Sequence, residues 1–265
     1  MDRRVGSAET DLNETAYPRY SFPPRNVAGL VWDWAPARRR SFREDALAAV
    51  GRLKPSLHRF GEEHVPQLGP CVIAFNHYHR ENFNAIWLAA AIAATVPRDI
   101  HFVMTGELTY PGRWYAPFGR FFSKIVLRRI ARVYGFTTMP PMPPRPKDVQ
   151  ARAESVRRVL DFARRTENPI IGLAPEGGDS PDGALARPAW GAGRFGLLLA
   201  AAGLAFVPAG MYEEGGEFCL RFGPAYELSV APGLSPDEKD RAAATVIMQN
   251  IARLLPERMR GQFGD

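Results

Sequence analysis

The chain has 265 residues, enough for one large domain with a substantial core, and 46% of them are hydrophobic. A net charge of +6 and a pI near 9.6 favour an anionic partner: nucleic acid, anionic lipid or an acidic cofactor. With 24 glycines and 24 prolines, the composition suits many short elements joined by tight turns and argues against a helical bundle.

Residues 1–25 are polar and carry prolines, so they read as a loose tail, with Tyr17, Tyr20 and Phe22 able to lie along a domain surface. No apolar signal segment follows Met1-Asp2-Arg3-Arg4. Residues 27–34 hold Leu30, Val31, Trp32 and Trp34 beside the cluster Arg38-Arg39-Arg40, which fits an interfacial anchor or a strap packed on the core. Ser41-Phe-Arg-Glu44 is a capping box and predicts a helix over 42–53, with Gly51 and Pro55 disrupting its end. A turn-rich stretch, 61–69, leads into a buried strand over 71–75 that stops at Asn76-His77. Apolar spacing at Phe83, Ile86, Trp87, Ala90 and Ala94 predicts a helix starting near Arg80, which puts His77 on the turn and Glu81 and Asn82 in the first helical turn.

A second strand is predicted over 100–104. Residues 113–134 then carry six basic residues and no acid, interleaved with Trp114, Tyr115, Phe118, Phe121 and Phe122. Such a segment suits a membrane surface, a base-stacking platform, or a core-packed helix with a solvated basic face, and no nucleic-acid motif supports the second. The run Met139-Pro-Pro-Met-Pro-Pro-Arg-Pro146 is a stiff connector, followed by a helix over 148–165 with Val149, Ala153, Val156, Leu160 and Ala163 inward. A buried strand over 170–174 ends at Pro175-Glu176-Gly177-Gly178-Asp179-Ser180, whose glycines permit close backbone approach by an anion or a polar headgroup. A helix over 194–202, strands over 205–209 and 219–222, and a helix over 236–255 opened by the capping box Ser235-Pro-Asp-Glu238 complete the chain.

No run is long and apolar enough to predict a transmembrane helix. Cys71 and Cys219, far apart in predicted strands, read as buried reduced thiols of a cytosolic protein, with pairing left open. Alternating strands and helices predict an α/β fold in which helices flank a central, largely parallel sheet. The expected organisation is an N-terminal tail and helical appendage over 1–60 and an α/β domain over 61–265.

With both turns in place, the chain resembles the glycerophosphate and lysophospholipid acyltransferase family from about residue 61 to 212. The family's N-H-x-x-x-x-D motif falls on Asn76-His77-Tyr-His-Arg-Glu-Asn82, its F-P-E-G-T-R motif on Ala174-Pro175-Glu176-Gly177-Gly178-Asp179, and its later V-P strand on Val207-Pro208. The resemblance implies a glycerolipid acyltransferase-like fold and transfer of a fatty acyl group from an acyl-CoA or acyl-carrier-protein thioester to a lipid hydroxyl. His77 is then the general base, Asn82 or Glu81 its partner, and Asn76, Glu176, Gly177 and Gly178 line the substrate site. No metal or resident cofactor is implied, since the thioester is a co-substrate. The expected setting is cytoplasmic, peripheral to an anionic inner membrane face, in phospholipid metabolism.

Three positions depart from the pattern. Asn82 replaces the family's acid, Asp179 replaces an arginine, and prolines 140 and 141 stand where a basic residue is expected. Those basic positions are associated with the acceptor's phosphate, so the expected acceptor is a lipid hydroxyl other than that of lysophosphatidic acid. The competing expectation is a degenerate member that binds lipid or acyl chains without catalysis.

Overall fold

Alternation of short apolar runs with amphipathic ones produces a single mixed sheet covered by helices on both faces. The computed structural model describes residues 17–34, 38–80, 83–109, 112, 114–142, 144–178, 180 and 183–264. Glu81, Asn82 and Asp179 lie outside the described residues. The strands are β1 His58–Phe60, β2 Cys71–Phe75, β3 His101–Thr105, β4 Thr137–Met139, β5 Ile170–Leu173, β6 Ala205–Glu214 and β7 Glu217–Phe222. The helices are α1 Pro24–Trp34, α2 Phe42–Val50, α3 Ile86–Thr95, α4 Ala116–Tyr134, α5 Val149–Arg165, α6 Ala192–Ala201 and α7 Pro236–Ala252.

Among the described residues the strand order is β1-β7-β6-β2-β5-β3-β4. Strands β6, β2, β5, β3 and β4 run parallel, while β7 pairs antiparallel to β6 and takes β1 with it. The fold is therefore α/β with a largely parallel sheet, as the alternation predicts. Every residue of β2 and β5 is buried, which is why these strands read as unbroken apolar runs. Ile73 and Phe75 face one core with Phe42 and Ala46 of α2 and Trp87 and Ile92 of α3. Val72 and Ala74 face the other, with Val159 of α5, Leu199 of α6 and Ile247 of α7. Cys71 and Cys219 are free buried thiols, and burial pushes them up to about 12 and about 11.

The strand that follows β6 returns because Gly215 and Gly216 both adopt positive φ, 59° and 81°, the backbone that a two-residue hairpin requires. That extends β6 to Glu214, well past the predicted end at 209. The short strands β1 and β4 sit at the sheet edges and escape a periodicity argument at three residues each. Residues 27–34, which read from the sequence as an anchor or a strap, belong to helix α1.

Three further expectations are corrected. Helix α3 begins at Ile86, whose N–H donates to the Asn84 side chain, and Arg80, Phe83 and Asn84 precede it. Helix α2 ends at Val50, immediately before Gly51. Val149, expected inward, is 67% exposed, and Ala153 is exposed as well, while Val159, Leu160 and Ala163 pack.

Candidate active site

Because β2 and β5 are parallel neighbours with Ala74 opposite Leu173, the turns that follow them emerge side by side at the same end of the sheet. That end is where an α/β sheet displays its ligands and reacting groups. Asn76, the first residue after β2, is buried, and its side chain pairs with the backbone of Met211 on β6. Nδ2 donates to the Met211 carbonyl at 2.8 Å, and Oδ1 accepts from the Met211 N–H at 2.7 Å. The carboxamide thus imitates one more residue of strand pairing and fixes where the turn starts.

His77 comes next, half-buried, and its backbone N–H donates to Glu176 Oε2 at 2.6 Å. The other oxygen of that carboxylate accepts from the Ala186 N–H at 2.7 Å, and Glu176 is itself buried. One acidic side chain therefore ties the turn after β2, the turn after β5 and the segment leading to α6. Hydrogen bonds to an ionised acceptor are about twice as strong as neutral ones, which suits a clamp. Gly177 has a φ of 69°, and a Cβ there would lie 2.9 Å from Met142 Cγ, so both backbone conformation and close packing select glycine. Its N–H donates to the Ala174 carbonyl at 3.2 Å. At Gly178 an added Cβ would meet Met142 at 4.0 Å, an ordinary contact.

The residues after His77 are anchored on a second carboxylate. Glu213 of β6, buried, accepts from Tyr78 Oη at 3.0 Å, from Arg80 Nη2 at 3.1 Å, and closely from Arg80 Nε and Tyr20 Oη. The Arg80 guanidinium also lies 4.0 Å above the Tyr17 ring. Tyr20 packs on Phe83, Trp87 and Phe218, so the N-terminal strap is stitched to the loop carrying His77. Burial first, and the Glu213 carboxylate second, raise the pKa of both tyrosines and keep them as donors. Ahead of α3, Arg80 is thus held to β6 and Phe83 packs on the strap, with the Phe83 N–H donating to the Arg80 carbonyl at 3.1 Å.

A cavity of about 140 Å³ opens beside the Glu176 turn, lined by Met104, Met139, Met142, Leu173 and Phe195 together with Gly177. Arg152 of α5 reaches it, its Nη2 donating to the carbonyls of Pro140 and Pro141 at 3.3 and 3.1 Å. On the protein's exterior, α4 turns its aromatic stripe outward: Phe118 is 74% exposed, Phe121 64% and Phe122 71%, and Trp114, just before the helix, is 88% exposed. Along α4 only Ser123, Ala131 and Val133 are buried, so the expectation of a core-packed helix fails for its first half. Trp32, on neighbouring α1, is 77% exposed as well. Arg40 of the expected interfacial cluster is instead held by Asp33 and Asp45 at 2.8 Å each.

The structure thus brings together Asn76, His77, Glu176 and Gly177, with Gly178 following, while Glu81 and Asn82 lie outside the described residues. Sequence reading missed Glu213, which acts on Arg80 from 133 residues away, and Arg152, which acts on Pro140 from 12 away. Neither belongs to a motif, so their only signal is spatial.

A sequence model of the family described as Acyltransferase matches residues 57–212. No curated protein matches the chain at a significant level. Among solved structures, the chain is similar to the 1-acyl-sn-glycerophosphate (LPA) acyltransferase PlsC from Thermotoga maritima, at 13% identity and a TM-score of 0.45, covering 86% of this chain and 83% of that one.

Proposed function

Because this chain belongs to the acyltransferase family, we propose that it moves a fatty acyl group from an acyl-CoA or acyl-carrier-protein thioester to the hydroxyl of a lysophospholipid or another lipid acceptor. The observation that carries this reading is the Glu176 clamp, which holds His77 on the turn at the open end of the parallel strands, while Pro175 and Gly177 on either side of Glu176 line an apolar cavity. His77 removes the proton of the acceptor hydroxyl as its oxygen attacks the thioester carbonyl. The carbon–sulfur bond then breaks as the carbonyl re-forms, and the proton passes from the imidazolium to the departing thiolate. Asn82 or Glu81 orients the ring. The reaction needs no covalent intermediate on the enzyme. The test is to supply an acyl-CoA mixture with a total lipid extract and follow free thiol together with new acylated lipid by mass spectrometry. Release of thiol without a new lipid product would remove the transferase reading.

The same reading places the protein on the surface of an anionic membrane, at its cytoplasmic face. Among the described residues no helix is long and apolar enough to cross a membrane. Helix α4 presents exposed aromatic rings among the exposed cations Arg120, Lys124 and Arg128, with no acid along its length, a combination suited to the headgroup level. Lys124→Glu with Arg128→Glu is expected to weaken binding to phosphatidylglycerol vesicles by roughly thirtyfold, from about 1 kcal/mol per cation. Cosedimentation measures it, and binding unchanged from the unmodified protein would take α4 out of the interface.

A further inference from the structure

Among the described residues that line the cavity beside the Glu176 turn, Arg152 alone is charged, and apart from Thr105 the other side chains are apolar, three of them methionines. Its neighbour Arg145 is matched by two carboxylates, pairing with Glu107 at 3.0 Å and closely with Asp148. Arg152 has no such match: among the described residues it joins no ion pair, and Nη2 meets only two carbonyls while Nε and Nη1 make no hydrogen bond. Burial pulls its pKa below the usual arginine value, with Asp148 offsetting part of the effect, so the guanidinium sits in a partly desolvated wall. The tether through Nη2 to Pro140 and Pro141 also holds the guanidinium in place, leaving the N–H groups of Nη1 and Nε able to donate to an anion.

We propose that Arg152 and this cavity form a binding site for an amphiphile, in which an anionic group of the acyl acceptor, phosphate or carboxylate, pairs with the guanidinium and adjacent hydrocarbon lies against Met104, Met139 and Met142. The assignment rests on the acyltransferase reading for the word acceptor, while the binding site itself stands on the geometry. It revises the expectation of an acceptor without phosphate: the chain lacks a cation at residues 140 and 141, and α5 brings one to the carbonyls of those same prolines.

Octyl phosphate and octanol, titrated calorimetrically into the full chain as monomers, separate the charge from the hydrocarbon. The unmodified protein is expected to bind octyl phosphate at least tenfold more tightly than octanol. Arg152→Gln is expected to remove about tenfold to a hundredfold of the phosphate affinity and leave octanol unchanged, the range for a charge-assisted hydrogen bond. Arg152→Lys should keep most of the preference. Equal weakening toward both probes in Arg152→Gln, or no preference in the unmodified protein, would overturn the site, and the second result needs no variant to fold. Coenzyme A separates the two sources of phosphate: competition with octyl phosphate that is lost in Arg152→Gln would assign Arg152 to the donor and overturn the acceptor assignment. Absence of competition supports it. Should octyl phosphate bind through Arg152 while no acyl transfer occurs with any lipid extract, the transferase reading fails and the anion site remains.

Discussion

Changing His77 to alanine is expected to lower acyl transfer by about a hundredfold to ten-thousandfold, the range for losing general acid–base assistance. The melting temperature should stay within about 4 °C, the shift that 1 kcal/mol produces in a chain of this size. The two readouts separate because His77 meets the clamp through its backbone N–H, which alanine keeps, so that only the imidazole is removed. A loss of activity with a large loss of stability would make His77 a packing residue. The same assay then resolves its partner. If Asn82 orients the ring unaided, Asn82→Asp raises turnover by supplying the charge that stabilises an imidazolium, and Glu81→Gln changes little. If Glu81 is the partner, Glu81→Gln costs about a hundredfold or more and Asn82→Asp is nearly neutral. If the unmodified chain releases no more thiol than His77→Ala with any donor, the catalytic role is gone and the lipid- or acyl-binding reading stands.

What the sequence reveals here is what short-range physics determines. The runs 71–75 and 170–173 could be read as strands because both faces are buried, and Ser41 and Ser235 could be read as helix starts because each accepts from the backbone three residues on. The two turns carrying His77 and Glu176 were legible as neighbours only through the family motif, since nothing local tells β2 that β5 will pair with it. Long-range polar contacts were not legible. Glu213 reads as one of several acids around a glycine turn, yet it holds Tyr20, Tyr78 and Arg80 ahead of α3. Arg152 reads as one more solvated arginine of a helix with many, and its place in an apolar wall follows from where α5 crosses the exit of β4. The exposed stripe of α4 shows the opposite failure. Its spacing is that of a core-facing helix, and the direction it faces is set by the rest of the fold.

Glu176→Ala is expected to cost both stability and turnover, in a proportion that identifies the clamp. Removing the carboxylate leaves the N–H groups of His77 and Ala186 without their acceptor in a buried setting. Each hydrogen bond to a charged group contributes about 1.5–3 kcal/mol. A combined loss of about 3 kcal/mol or more corresponds to a fall of roughly 6–12 °C in melting temperature. Turnover should fall about a hundredfold, the consequence of letting a reacting group drift by about 1 Å, with the KM for the acceptor little changed because the carboxylate is spent on backbone and not on substrate. Glu176→Gln should recover only part of the stability. Its carboxamide offers one acceptor oxygen to two N–H donors, so one of them must face the NH₂ group. A Glu176→Ala protein with an unchanged melting temperature and a raised acceptor KM would overturn the clamp and return Glu176 to direct contact with the acceptor.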